Sequence, residues 1–283
     1  AELGLLDGAR FTVTLERGTA RLEDGRTLDV PAGTFAVEDV FGDPPDGRAT
    51  IDLSGEAASM LALWQALPLS RGVDLGVSPQ DLTGTGVARI EASMPLIDKL
   101  PAERVTYDAV IDLEGLGSAK AVSGRRFADA KVSVRVAEGR AVATGTAKVD
   151  GVATEISIDR PLSGGASGAS SFRLVLDAAG RERFGIDLGD HLTGDVAVTV
   201  SEGGGGGGRQ AVEADLTAAA IDFPELGWRK PKGREAKARF DLVTGDGTTR
   251  IEKAVFTAGD ARIEGEIRLD AKSDLVSADF PLV

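Results

Sequence analysis

The sequence contains no cysteine and a single histidine, His191, among its 283 residues. Disulfide bonds, thiolate nucleophiles and cysteine-ligated metals are therefore excluded, and one imidazole cannot form a histidine-based metal site. A general-base role for His191 would need a nucleophile beside it, and no G-x-S-x-G motif occurs in the chain. We interpret His191 as a residue of a loop or of a strand start. We expect this chain to be non-enzymatic, with no metal and no cofactor.

Aromatic residues make up only 5% of the chain, which excludes a sugar-binding surface rich in tryptophan and tyrosine rings. The net charge is -13, and the only dense basic cluster spans residues 228–234. An acidic surface repels nucleic acid. No apolar run approaches the roughly 20 residues that a membrane-spanning helix requires. The sequence therefore predicts neither a nucleic-acid partner nor a transmembrane helix within these residues.

A strict alternation of apolar and polar residues is the most regular feature of the sequence. In residues 262–270, Ile263, Ile267 and Leu269 alternate with charged residues, so a strand there has one apolar face and one charged face. Such segments recur about every 8–15 residues between glycine, aspartate and proline turns, which predicts a mainly β fold built as a long antiparallel meander. The clearest segments are 11–15, 28–30, 35–37, 49–53, 105–113, 132–136, 141–149, 172–176, 196–200, 212–216, 236–242 and 263–269.

Helical spacing of apolar residues occurs in two short stretches. Residues 56–67 are predicted to form a helix that Ser54 caps and Pro68 ends. Residues 178–184 are predicted to form a second helix, with Asp177 as its N-cap and a glycine stop. A third short turn is predicted within residues 95–100.

Glycine-rich stretches at residues 163–171 and 203–208 predict flexible hairpin loops. Residues 115–120 are also expected to form a loop, because they lack the full glycine pattern of a phosphate-binding motif. The first stretch divides the chain into two β segments, 1–160 with a helix near 56–67 and 172–283. A single continuous domain is the alternative, since the composition does not change across the boundary.

The apolar face of the predicted strands is the best candidate for a functional surface. It is dominated by aliphatic side chains, and few helices are available to cover it. A sheet of this length must close, pair with another sheet, or curl into an elongated, taco-like trough whose apolar lining could hold acyl chains. Met60, Leu61 and Trp64 of the first helix are expected to pack against this face. The residues predicted to line a lipid groove are Val13, Leu15, Phe35, Val37, Ile51, Leu53, Ile263 and Ile267.

Residues 211–231 and 256–265 carry a resemblance to a known family. The segments Ile221-Asp222-Phe223-Pro224, Leu226-Gly227-Trp228-Arg229-Lys230-Pro231 and Gly259-Asp260-Ala261-Arg262-Ile263-Glu264-Gly265 are similar to the C-terminal region of AsmA-like proteins of the YhdP/TamB type. The resemblance implies a periplasmic segment of a large bacterial protein anchored in the inner membrane through parts not present here. It also implies a β-sheet groove that lets phospholipids pass between the inner and outer membranes, with no catalytic residues.

Two other functions stay open at the level of sequence. One is a structural or adhesin-like β-protein with a closed core, which would act through its surface or through assembly of sheet edges; exposed edges would also allow oligomers. The other is a hydrolase with a carboxylate pair, which would need two acidic residues on the buried side of strands. The sequence identifies no such pair.

Overall fold

The computed structural model describes residues 2–6, 10–67, 76–101, 104–122, 124–162, 168–186, 188–203, 208–224, 227–245, 248–270 and 275–282. The described chain is mainly β, with antiparallel strands and two short α-helices. It divides into two compact units. Unit 1 comprises residues 1–146 and 159–165, and unit 2 comprises residues 147–158 and 166–283. The predicted antiparallel β fold with one or two short helices is confirmed.

Unit 1 is an antiparallel meander in which most strands pair with the strand before them. Strand β3 pairs with β4, and the remaining pairs run in the order β1–β2–β4–β5–β6–β7–β8. Strands β9 (Arg140–Val149) and β10 (Val152–Pro161) each divide between the two units. The other strands are β1 (Glu2–Leu6), β2 (Arg10–Leu15), β3 (Gly18–Arg21), β4 (Thr27–Val37), β5 (Asp46–Glu56), β6 (Leu82–Pro95), β7 (Thr106–Ser118) and β8 (Phe127–Ala137).

Unit 2 combines a second antiparallel meander with a small three-stranded sheet. The meander pairs in the order β11–β13–β14–β17–β18–β19–β20. The small sheet pairs β12–β15–β16. The strands are β11 (Ala169–Leu176), β12 (Leu192–Gly194), β13 (Val196–Glu202), β14 (Arg209–Asp215), β15 (Ala219–Phe223), β16 (Trp228–Lys230), β17 (Lys237–Gly245), β18 (Thr248–Ala258), β19 (Ala261–Leu269) and β20 (Leu275–Leu282).

Both predicted helices are present. Helix α1 spans Ala57–Ala66, and Glu56 stands at its N-cap without a side-chain hydrogen bond. The predicted cap by Ser54 is wrong, because β5 continues through Glu56 and holds Ser54 in the ladder opposite Val87. In the described part of the chain, no helix is both long enough and apolar enough to cross a membrane.

Helix α2 spans Ala178–Arg183 and begins as the sequence predicts. The Asp177 carboxylate accepts a hydrogen bond from the backbone N–H of Gly180 at 2.6 Å. This bond satisfies one of the N–H groups that the first helical turn leaves without an intrahelical partner. The 95–100 segment makes a turn at Asp98 and Lys99.

The glycine-rich stretches differ from the predicted loops in two places. Residues 115–118 belong to β7, where Gly115 lies opposite an irregularity of β6 at Gly84. Gly84 has a φ of +109°, and a Cβ there would lie 2.8 Å from the Glu114 carbonyl oxygen, so glycine allows the strands to pair through the irregularity. Residues 169–171 belong to β11. Pro68 and residues 163–167, 204–207 and 225–226 lie outside the described residues.

Candidate functional site

The apolar side chains of unit 1 line up in rows that run across the strands. Neighbouring strands lie about 4.8 Å apart, and residues in register share a face. We call this surface the unit 1 face. Its first row is Val13, Phe35, Ala49, Ala92 and Tyr107; its second row is Leu15, Gly33, Ile51, Ile90, Ala109 and Val136; its third row is Leu53, Ala88, Ile111 and Val134.

All six residues that the sequence predicts for a groove in this unit lie on the unit 1 face. Val13 and Phe35 are partners in the first row, and Leu15 and Ile51 belong to the second. Leu53 lies in the third row, and Val37 lies beyond the first row, paired with Phe11 and Gly47. The structure therefore brings these residues together, while their role in lipid binding stays a prediction.

Helix α1 covers one end of the unit 1 face. Leu28, Val30, Leu53 and Ala88 form a buried cluster, against which Met60 and Leu63 of α1 pack. At Gly86 the helix lies close to β6, since a Cβ there would lie 2.8 Å from the Met60 sulfur. Leu61 is buried, as expected, and the indole Nε1 of Trp64 is buried without a hydrogen-bond partner. The structure thus shows the predicted packing on the sheet for Met60.

The first row of the unit 1 face keeps partial exposure along its whole length. Each of its five side chains is only half-buried, and so are Leu15, Ile51 and Ile90 of the second row, which ends in buried Ala109 and Val136. The row contains no charged residue, and its one hydroxyl belongs to Tyr107. Burial raises the pKa of the Tyr107 phenol above its usual 10.0, so the group is neutral at physiological pH. The row is therefore an uncharged, aliphatic and aromatic strip that water can reach.

The opposite face of the same strands carries the charges. Arg89 lies 3.8 Å from Asp52 and 3.6 Å from Glu91, and these pairs are mostly exposed. Such pairs contribute little stability individually, about 0–1 kcal/mol. Val110 lies between strands that carry Arg89 and Arg135, and its side chain is 39% exposed. This face therefore provides a polar surface behind the apolar one.

A similar apolar face occurs in unit 2, which we call the unit 2 face. Its first row includes Ile263, and its third row includes Ile267, so both predicted residues lie on it. The first row is Leu174, Val198, Ala214, Ala238, Phe256 and Ile263; the second is Phe172, Val200, Val212 and Phe240; the third is Ser170, Glu202, Gln210, Leu242, Ile251 and Ile267.

The small sheet of unit 2 packs at the first-row end of this face. Trp228 stands edge-on to Phe256 with ring centroids 5.9 Å apart, and Phe223 lies 6.5 Å from Trp228. The imidazole of His191 stacks on Phe223 at 4.9 Å, and its Nδ1 lies 2.8 Å from the Asp222 carbonyl oxygen. His191 immediately precedes β12, which confirms the prediction of a loop or strand-start residue.

Two buried cations hold the small sheet in place, and the sequence analysis identifies neither. The Lys230 ammonium donates to the carbonyl oxygens of Leu216, Thr217 and Ala219. The Arg181 guanidinium donates to the carbonyl oxygens of Leu192 and Gly194, at 2.9 and 2.6 Å. Burial lowers the pKa of Lys230 below the ordinary 10.5, while the attraction of Asp215 opposes that shift. Both cations serve the fold, since their donors point at backbone.

Three polar residues on the unit 2 face were also missed. Ser170, Glu202 and Gln210 occupy neighbouring strands in the third row. Strand parity contains the signal, because Glu202 has the parity of Val198 and Val200, and Gln210 has that of Val212. Glu202 and Gln210 hide this signal, because an alternation defined by apolar residues ends where a charged or amide side chain takes an inward position.

In the part of the chain that the structure describes, the acidic residues do not assemble into a recognisable metal site. Within the described ranges, no group of three or more histidine, aspartate or glutamate side chains could hold a metal ion.

A scan against protein-family models finds no match for this chain, and searches of the curated proteins and of the solved structures find no significant match either.

Proposed function

We propose that this chain is a non-enzymatic segment of a phospholipid-transport bridge, in which the unit 1 and unit 2 faces shield acyl chains from water. The observation that carries the proposal is the first row of the unit 1 face, an uncharged strip of five half-buried side chains on neighbouring strands. In this proposal the strands of each unit curl so that its own rows form the floor of a trough. Phospholipid, or another lipid with acyl chains, is the partner.

The dimensions of the row suit an extended hydrocarbon chain. Five neighbouring strands with spacings of about 4.8 Å give a strip roughly 19 Å long. Each methylene removed from water contributes about 0.8 kcal/mol, so a chain that covers the row gains several kcal/mol. Because the strip offers no charge and no strong hydrogen-bond donor besides Tyr107, a chain can slide along it without breaking a specific bond. Movement along the groove then needs no chemistry from this protein.

The sequence resemblance supports the cellular setting of the proposal. The resemblance to AsmA-like proteins implies a periplasmic location and an inner-membrane anchor outside the residues described here. The charged opposite face, with its cross-strand pairs such as Lys131 and Glu114 at 2.7 Å, suits exposure to an aqueous compartment. The role that follows is support of lipid homeostasis in the outer membrane.

A charge placed in the first row should abolish lipid retention. Ala49→Glu puts a carboxylate between Phe35 and Ala92, and burying that carboxylate beneath an acyl chain costs several kcal/mol. We expect lipid that co-purifies with the protein, quantified by mass spectrometry of solvent extracts, to fall roughly tenfold or more. Circular dichroism would show whether the variant keeps its β structure.

Val110→Glu is the matched control for this experiment. It adds the same charge to the same unit, but on the charged face, where Arg89 and Arg135 flank the position. We expect this variant to retain as much lipid as the unaltered protein. Equal lipid in a folded Ala49→Glu variant would contradict the groove. An unaltered protein that carries no lipid would instead favour a structural β-protein with a closed core.

A further inference from the structure

The third row of the unit 2 face ends in a polar notch, which we define as Ser170, Glu202 and Gln210. Ser170 is 7% exposed, and Glu202 and Gln210 are half-buried. Glu202 is the last residue of β13, and Gln210 is the second residue of β14. The notch therefore lies at the ends of three paired strands, away from the small sheet, which packs near the first row.

The Glu202 carboxylate is anchored by neutral groups only. It accepts a hydrogen bond from Gln210 Nε2 at 2.6 Å and one from Ser170 Oγ at 3.3 Å. A carboxylate offers about four acceptor positions, so the described residues use roughly half of its capacity. Among the described residues, no cation forms an ion pair with Glu202. The neighbouring Arg209 points to the opposite face, where it pairs with Asp241 and Glu252 at 2.7 and 2.8 Å.

The surroundings of the notch are apolar. Leu242, Ile251 and Ile267 continue its row, and Phe172 and Val200 lie in the row beside it. A carboxylate without a cation is unfavourable next to such a surface, because burial penalises its charge. An amphiphile with a cationic head and an apolar tail would pair with the Glu202 carboxylate and cover the apolar surface around it.

We propose that the notch binds the ammonium group of a zwitterionic phospholipid headgroup, with the acyl chains lying along the unit 2 face. This inference rests on the proposed function and adds the headgroup class to it. Ammonium N–H groups can fill the free acceptor positions of Glu202, which favours ethanolamine over choline, since choline has no N–H. The same carboxylate repels a headgroup whose only charge is negative, such as phosphatidylglycerol.

The test is a competition among headgroups on the full chain. Purified protein is incubated with vesicles that contain equal amounts of phosphatidylethanolamine, phosphatidylcholine and phosphatidylglycerol. It is then separated from them, and the bound lipids are quantified. We expect ethanolamine lipid to be enriched over glycerol lipid in the unaltered protein. In Glu202→Gln, that enrichment should fall about threefold to tenfold, while the total amount of bound lipid changes little.

Two further variants make the result specific. Glu213→Gln removes the same charge from the exposed face of β14 and should leave the lipid ratio unchanged. Glu202→Asp keeps the charge and should retain part of the enrichment. An unaltered protein with no headgroup preference, or a Glu202→Gln variant with the original ratio, would overturn the notch while leaving the groove intact. Absence of bound lipid from every variant would overturn both proposals.

Discussion

Lys230→Ala is expected to destabilise unit 2 by about 3–5 kcal/mol, because it removes a buried aliphatic stem and leaves carbonyl groups without a donor. The Lys230 side chain is among the most buried in the chain, at 1% exposure. Its ammonium holds the turn at residues 216–219 beneath the small sheet. Trp228 packs against the buried cluster that includes Leu216 and Ala219. Its fluorescence in a Trp64→Phe background therefore reports unfolding of this unit under urea.

Lys232→Ala is the control for this variant, since Lys232 is exposed and only two residues away. It should change the free energy of unfolding by no more than about 0.5 kcal/mol. A Lys230→Ala variant as stable as this control would show that the carbonyl groups find other partners and that the lysine is dispensable.

The lowered pKa of Lys230 gives a second, pH-dependent expectation. Below the folded-state pKa, both the folded and the unfolded chain hold the proton, and the full cost of the buried charge is present. Between that value and the unfolded pKa of 10.5, the unfolded chain binds more protons, so stability attributable to this residue rises with pH. The stability difference between the unaltered protein and Lys230→Met should therefore shift in favour of the unaltered protein as pH approaches 10.5. A flat difference would contradict the pKa direction.

Gly86→Val is expected to destabilise unit 1 by about 2–3 kcal/mol through overpacking beneath α1. Even a Cβ at this position would lie 2.5 Å from Leu113 Cδ2, 2.8 Å from Met60 Sδ and 3.1 Å from the Asp112 carbonyl oxygen. The strand cannot give way easily because Gly86 is paired on both sides, so the side chains of Leu113 and of Met60 in α1 must shift. A red shift of Trp64 fluorescence in a Trp228→Phe background should accompany the loss of stability.

Gly245→Val provides the comparison for Gly86→Val. Gly245 is also a strand glycine, and no described residue lies within 4 Å of an added Cβ there. This variant should be neutral or slightly stabilising, because valine restricts the unfolded chain and favours strands. If Gly86→Val leaves both the stability and the Trp64 emission unchanged, α1 does not pack against β6 through Met60.

The sequence predicts the apolar faces well because strand parity depends on neighbouring residues alone. Val13, Phe35 and Ile51 lie on the face that their alternation predicts in unit 1, and Ile263 and Ile267 lie on the corresponding face of unit 2. Strand β6, by contrast, has no counterpart among the predicted strands. Its beginning, Leu82-Thr-Gly-Thr-Gly86, has two glycines and low strand propensity. Eleven register pairs with β5 and a long ladder with β7 impose the strand there, which a local pattern cannot reveal.

The small sheet and the polar notch depend on contacts between distant residues, so the sequence does not reveal them. Residues 228–230 belong to the basic cluster of the sequence, yet they form β16, and Lys230 donates to carbonyl groups more than ten residues earlier in the chain. Glu202 is conspicuous only once its register with Ser170 and Gln210 is known. A charged side chain such as that of Glu202 is usually exposed to solvent, but its place in the fold leaves it half-buried.

The order of strand pairing has a consequence for how the chain folds. Apart from three places, each strand in the two meanders pairs with its immediate predecessor, so every new strand meets a template that already exists. Short loops keep the entropy of closure low. At the three exceptions, the ladder passes over β3, over β12, and over the pair β15 and β16. Each meander can therefore extend before these four strands pack against it. Within each unit, the strands of the meander could thus assemble in the order in which the chain delivers them, each new strand adding to the edge that its predecessor provides.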